Sequence, residues 1–349
     1  METKIVKVDR EHPQAEIIRA AGQILKNGGL VAFPTETVYG LGGYALDVNA
    51  SHKIYAAKGR PSDNPLIIHI ADMEDLPALV TEIPYAAKRL AEAYWPGPLT
   101  MIFPKSACVP YETTGGLDSV AVRMPDHRIA QLLIREAGGY VAAPSANTSG
   151  RPSPTLAEHV IEDLNGKIDM IIDGGSVGIG LESTIVDFTE EIPTILRPGY
   201  VNEEMLEKIL GEVRMDQGLL TDDMDIHPKA PGMKYRHYAP KGSLVIVEGS
   251  QEHVTAAIQK MADEKIRQGY SVGIIGTDET IGAYKAGLVK SIGARDDEAE
   301  IARRLYRVLR EFDDSEIAYI YSESFRTPRM GQAIMNRLLK AAGHQMIEV

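Results

Sequence analysis

The chain of 349 residues carries a formal charge of -12, with 44% apolar and 25% charged residues. That length allows two domains, and the composition excludes disordered, collagen-like and coiled-coil classes. No apolar run reaches the roughly 18 residues of a membrane span, and the excess of acid argues against coating nucleic acid, which depends on phosphate neutralisation by Lys and Arg.

The N-terminal stretch METKIVKVDREHPQAE is charged throughout and lacks the apolar core of a secretory signal. Cys108 is the single cysteine, so no intramolecular disulfide framework is possible. A cytoplasmic location is the expectation.

Ile17, Ile18, Ala21, Ile24 and Leu25 then fall on one face of a helix that stops at Gly28-Gly29. Strand-like runs follow: LVAF from Leu30, PLIIHI from Pro65, PLTMIF from Pro98, SVAVRM from Ser119, YVAAP from Tyr140, MIID from Met170, STIVDF from Ser183 and PTILRP from Pro193. Several succeed one another without a long helix between them. This predicts a mixed α/β sheet with flanking helices rather than strict strand-helix alternation.

Near Glu212 the composition turns acidic, with Asp216, Asp222, Asp223 and Asp225, and then reverses sign in KAPGMKYRHYAPK, Lys229 to Lys241. We read this as a linker whose segment Pro231 to Pro240 forms a lid. Beyond it, SLVIVEG, SVGIIG and IAYIYS alternate with helical patterns, which predicts a smaller Rossmann-like parallel α/β domain. The expected organisation is a catalytic domain over 1–211, a linker or lid over 212–242 and a C-terminal domain over 243–349.

GxxxxGK[ST], HExxH, GxSxG and CxxC are all absent, and the nine histidines show no clustered ligand spacing. No protein-bound structural metal is expected. Gly40-Leu41-Gly42-Gly43-Tyr44-Ala45 matches GxGxxA, but polar residues separate it from the preceding strand, which is wrong for a dinucleotide fingerprint.

Four segments carry candidate chemistry. PTETVYGLG, Pro34 to Gly42, brings hydroxyls to a strand end, where α/β sheets bind ligands; a capped turn would look the same. KGRPSDNPLIIHI, Lys58 to Ile70, has two cations before a proline that disfavours helix, a pair suited to phosphate. A solvated surface pair is the plainer reading, as is a core histidine for His69. APSANTSGRPSPT, Ala143 to Thr155, is dense in small hydroxyls that can build an anion nest, or a simple surface loop. DGGSVGIGLESTIVDF, Asp173 to Phe188, allows close backbone approach to a ligand and is followed by LRPG with Arg197. Together they predict a locally cationic, hydroxyl-rich pocket for an anionic substrate such as a nucleotide, in an enzyme without a P-loop.

PTETVYGLG, the KxR of Lys58 and Arg60, and the SxN of Ser145 and Asn147 resemble the YrdC-like family. STIVDF, ILRPG and PGMKYRHYAP, with the appended α/β domain, resemble its two-domain members, the threonylcarbamoyl-AMP synthases. The resemblance covers essentially the whole chain. It implies a YrdC-like twisted mixed sheet with an open concave face. It also implies formation of threonylcarbamoyl-AMP and pyrophosphate from L-threonine, bicarbonate and ATP, with Mg2+ accompanying the ATP. The product would serve threonylcarbamoyladenosine formation at tRNA position 37, through downstream threonylcarbamoyl-transferase proteins.

Carried over residue by residue, the resemblance sets threonine against Thr35, His69, Arg123, the Ala143 backbone and Ser183. It sets ATP against Lys58, Arg60, Asn64, Ser119, Ser145, Asn147, Ser153 and Arg197, with Arg236 and His237 of the linker. Lys58 and Arg60 take the catalytic role, which is to hold and neutralise anions rather than to supply a nucleophile. Arg60 and Arg123 should face substrate and matter little to folding. The alternative reading is a module that binds tRNA or double-stranded RNA.

Overall fold

The computed structural model describes residues 2–216 and 237–349. Arg236, the acidic stretch from Asp222 to Asp225, and the expected lid apart from His237–Pro240 lie outside the described residues. The chain divides into two compact units. The second takes in Gly150–Pro152, Ile179–Leu181 and the described residues 237–349; the first takes the rest.

The first unit is built on one mixed sheet. Its strands in chain order are β1 (Lys4–Lys7), β2 (Val31–Phe33), β3 (Gly40–Tyr44), β4 (Ile67–His69), β5 (Leu99–Pro104), β6 (Ser119–Arg123), β7 (Val141–Ala142), β8 (Met170–Asp173), β9 (Thr184–Asp187), β10 (Thr194–Arg197) and β11 (Arg214–Met215). They lie in the order β1-β8-β2-β3-β7-β4-β6-β5-β9-β10-β11. Parallel and antiparallel pairs alternate irregularly, as strands without intervening helices require. The eight apolar runs read in the sequence are all strands. The glycine-rich run at Gly40 is a strand as well, where the sequence shows no apolar run that predicts one. Gly42 has no room for a side chain there: a Cβ would stand 2.9 Å from both Phe33 and Val141.

Alternation divides the side chains of this sheet between two faces. One face carries a long apolar core that includes Ala32, Leu41, Ile68, Met101, Val122 and Val186. On the other face, the helix Ala15–Lys26 packs with the helix Arg128–Glu136 over Val31, Phe33, Val141 and Met170. Gly22 permits this approach, since a Cβ would come within 2.6 Å of Glu136. Further along the sheet a separate cluster forms from Ile67, Ile102, Ala121, Ile185 and Leu196. These are β4, β5, β6, β9 and β10 positions, and the candidate site is built at the ends of the same strands.

The second unit holds five parallel strands, β12 (Ser243–Glu248), β13 (Val272–Gly276), β14 (Leu288–Ser291), β15 (Tyr319–Glu323) and β16 (Met346–Glu348), in the order β14-β13-β15-β12-β16. Helices Gln251–Arg267, Glu298–Asp314 and Gly331–Ala342 connect them or flank them. This is the Rossmann-like arrangement that the alternating pattern predicted. Among the described residues no helix is long and apolar enough to cross a membrane.

Candidate active site

The KxR motif is a helix ending. The helix Val48–Lys58 is capped at its start by Asp47, whose side chain accepts from the Asn49 amide at 2.9 Å. At its end Gly59 takes φ 61°, and the amides of Gly59 and Arg60 bond back to Ala56 O and Tyr55 O. This pair of bonds is a Schellman motif, and the left-handed residue explains why the middle position is glycine. The turn fixes both cations. Lys58 is 1% exposed and Arg60 9%, so neither belongs to a solvated surface pair.

Lys58 Nζ donates to the carbonyls of Ser145 and Asn147 and lies 3.5 Å from Asn147 Oδ1. Ser145 Oγ in turn donates to Asn147 Oδ1 at 2.5 Å. The KxR and SxN motifs therefore form one structure. The Tyr39 carbonyl accepts from the Ala146 amide at 2.8 Å, and Leu41 N donates to Pro144 O, which ties the PTETVYGLG segment to the same loop.

Arg60 donates to Asn64 Oδ1 at 2.6 Å and to the carbonyls of Asn64 and Pro65. β4 runs parallel to β6 from just beyond this turn. Ser119 and Arg123 are the first and last residues of β6 and share a face, about 13 Å apart at 3.3 Å per residue. Ala121 lies between them, within the small apolar cluster.

At the Arg123 end the hydroxyls gather. Arg123 is 4% exposed; its Nη1 donates to Thr37 Oγ1 at 2.9 Å, and its Nη2 lies 2.6 Å from Glu36 Oε1. Thr37 Oγ1 is 2.9 Å from Thr35 Oγ1, which donates to Val38 O. His69 is Arg123's register partner on β4, and its Nδ1 lies 3.1 Å from Ile67 O. The Ala143 amide donates to that same Ile67 carbonyl. Across the sheet, Thr100 is Arg123's partner on β5, and its hydroxyl meets Ser183 Oγ at 2.7 Å. Arg197 donates to Ser183 O and Ser183 Oγ at 2.9 and 3.1 Å. Ser153 Oγ donates to Glu182 at 2.6 Å.

Burial, aided by the charge of Arg123, pushes the His69 imidazole down to about 3. His127 is held down to about 4 by burial and the nearby Arg10, against the opposing pull of Glu36. Both rings are neutral at pH 7. His69 is therefore a hydrogen-bonding group, and Arg123 supplies the positive charge at this end.

The structure thus gathers Lys58, Ser145 and Asn147 in one cluster and Arg60 with Asn64 in a second. Thr35, His69, Arg123, Ala143, Ser183 and Arg197 form a third, all in the first unit. Ser119 lies at the far end of β6 from Arg123, and Ser153 joins Glu182 beside Ser183. His237 belongs to the second unit, where its ring lies 5.6 Å from Tyr238. Glu36, Thr37 and Thr100 were not singled out from the sequence. The first two sit inside the quoted PTETVYGLG segment. Thr100 could have been found as the polar residue of PLTMIF that alternates onto the site face.

Four buried cations, Lys58, Arg60, Arg123 and Arg197, stand with a neutral imidazole and a set of hydroxyls at the strand ends of an α/β sheet, an arrangement that suits anionic substrates without a Walker loop. Among the described residues no group of three or more His, Cys, Asp or Glu side chains is placed to hold a metal ion.

A family model described as "Telomere recombination" (Sua5, YciO and YrdC) matches residues 23–199, and one described as "Threonylcarbamoyl-AMP synthase, C-terminal domain" matches 201–343. The threonylcarbamoyl-AMP synthase of Pyrococcus abyssi is 50% identical over 99% of this chain and 100% of its own length. That of Bacillus subtilis is 49% identical, over 95% of this chain and 94% of its own. The crystal structure of P. abyssi Sua5 complexed with L-threonine superimposes with a TM-score of 0.94 at 48% identity, covering 99% of this chain and 100% of the other. The chain belongs to the threonylcarbamoyl-AMP synthase family, in its two-domain form.

Proposed function

We propose that the clusters around Lys58, Arg60 and Arg123 bind ATP and L-threonine side by side, in an enzyme that forms threonylcarbamoyl-AMP. L-threonine, bicarbonate and ATP give threonylcarbamoyl-AMP, pyrophosphate and water. The threonine amine takes up the carboxyl carbon as a carbamate and water leaves. A carbamate oxygen then attacks the α-phosphate, and pyrophosphate departs. No protein nucleophile is needed, so catalysis rests on positioning and on charge.

The observation that carries this reading is Lys58 seated on the Ser145 and Asn147 carbonyls. It draws two cationic and hydroxyl-rich loops into a single preorganised anion site. ATP takes Lys58, Arg60, Asn64, Ser119, Ser145, Asn147, Ser153 and Arg197; threonine takes Thr35, His69, Arg123, the Ala143 backbone and Ser183, with its carboxylate on Arg123. The apolar cluster from Ile67 to Leu196 suits the face of a base or the threonine methyl. Mg2+ enters with the ATP phosphates, as a hard cation that keeps oxygen ligands from substrate and water.

The wider assignments rest on the family. They are the catalytic, linker and C-terminal domains over 1–211, 212–242 and 243–349, a cytoplasmic location, ATP contacts from Arg236 and His237, and delivery to tRNA through threonylcarbamoyl-transferase proteins. The test is pyrophosphate release with threonine or bicarbonate omitted in turn, with the adduct identified by mass spectrometry. Release that is equal without threonine overturns the assignment.

A further inference from the structure

We infer that Glu36 is the group that receives the substrate's ammonium, and that the Glu36–Arg123 pair reads the zwitterion of an α-amino acid. This rests on the threonine reading above and adds a residue that it does not use. Glu36 is 8% exposed, yet neither of its carboxylate oxygens makes a hydrogen bond. Its contact is a charge contact, 2.6 Å from Arg123 Nη2, which likewise makes no hydrogen bond.

Other buried carboxylates in this chain are treated differently. Asp187 accepts from the amide and hydroxyl of Thr189. Glu323 accepts from Thr280 and Tyr284. Glu182 accepts from Ser153. Burying a carboxylate without such partners is costly, and a bare ion pair repays little of that cost. A buried polar group without a hydrogen-bond partner is rare in a folded protein and calls for a functional explanation.

A zwitterion resolves the pair in a way that no singly charged ligand does. Its carboxylate replaces Glu36 on the Arg123 guanidinium. Its ammonium takes the carboxylate that this frees, donating to oxygens that otherwise lack hydrogen bonds. Each buried charge keeps an opposite partner, and the net charge of the site does not change. A hydroxy acid would satisfy Arg123 and strand Glu36; a simple amine would do the reverse. Glu36 is adjacent in sequence to Thr35, so the ammonium and the hydroxyl are read from one loop.

The experiment is calorimetric titration of the full chain with L-threonine and with 2,3-dihydroxybutanoate of matching configuration, in which a hydroxyl stands for the ammonium. The wild type should favour threonine by about tenfold or more, the scale of a charge-assisted hydrogen bond. Glu36→Gln should bring the two ligands within about threefold of each other on the same scale, while Glu36→Asp keeps most of the preference. A wild-type ratio near one overturns the inference without any variant, and so does a Glu36→Gln variant that retains the wild-type ratio. A wild type that takes neither ligand overturns the threonine reading itself. Because the readout is a ratio within one protein, partial loss of folded material does not imitate the result.

Discussion

Lys58 and Asn147 are 89 residues apart in the chain, and the lysine ammonium donates to the asparagine carbonyl. The same ammonium serves the Ser145 carbonyl. The two short motifs are thus halves of one buried structure, and the lysine organises the loop as well as carrying charge.

Lys58→Met should therefore do two things at once. It leaves two carbonyls without their donor, at about 1–3 kcal/mol each. It also removes the charge that would meet phosphate. Thermal unfolding should show a lower Tm, and calorimetry should show ATP affinity reduced by about tenfold or more. A variant with wild-type Tm and wild-type ATP binding would refute the bridging role.

Arg123→Ala should destabilise the fold, contrary to the expectation that this arginine matters little to folding. Removing one partner of a buried ion pair costs about 3–5 kcal/mol. Adding Glu36→Ala to Arg123→Ala should recover much of that loss, because no uncompensated buried charge remains. Urea unfolding of the single and double variants decides it; strictly additive losses would mean that the pair is not coupled.

Gly59→Ala forces a Cβ into the left-handed conformation at φ 61°, although no atom stands within 4 Å to clash with it. The cost is conformational, about 1–2 kcal/mol. Gly59→Asn should cost less, since asparagine tolerates this region. In steady-state kinetics both should raise the KM for ATP in the same order, because the turn holds Lys58 and Arg60. An alanine variant with unchanged stability and KM would separate the turn from the site.

Acid should weaken the protein through two buried histidines. His69 and His127 are pushed below their ordinary 6.5, to about 3 and about 4. The unfolded chain therefore takes up protons that the folded chain refuses. Stability is full above pH 6.5 and falls as the pH drops toward those lowered values. Each histidine contributes a loss of about 2 kcal/mol between pH 6.5 and pH 5. Urea unfolding at the two pH values should show it, and His69→Gln should remove one share of the dependence. Equal stability at pH 6.5 and pH 5 would contradict both shifts.

The strands of the first unit were legible because apolar runs such as PLTMIF and STIVDF leave no other reading once they are bounded by turn residues. Gly40–Tyr44 was not legible as a strand. Glycine has poor strand propensity, and what makes it fit here is the crowding of Phe33 and Val141 against Gly42, which is a tertiary fact. The short strands Lys4–Lys7 and Arg214–Met215 hold too few apolar positions between or beside their charges to show an alternation. In the site, the cations and hydroxyls were visible as types. The pairing of Glu36 with Arg123 and the meeting of Thr100 with Ser183 depend on sheet order, which no local pattern encodes.

Among the described residues the wide sheet of the first unit has β1 and β11 at its edges, and both are short templates for a further strand. An unpaired edge offers a row of amides and carbonyls to any passing chain. On β1 the exposed Lys4 and Lys7 stand at the two ends of a four-residue edge, so an incoming strand would have to bring its backbone between like charges when it came from a second copy. Among the described residues β11 is two residues long, Arg214 and Met215. The eleven strands thus keep a guarded border at β1, and replacing Lys4 and Lys7 with valine should raise edge-to-edge self-association, read by light scattering against the unchanged chain.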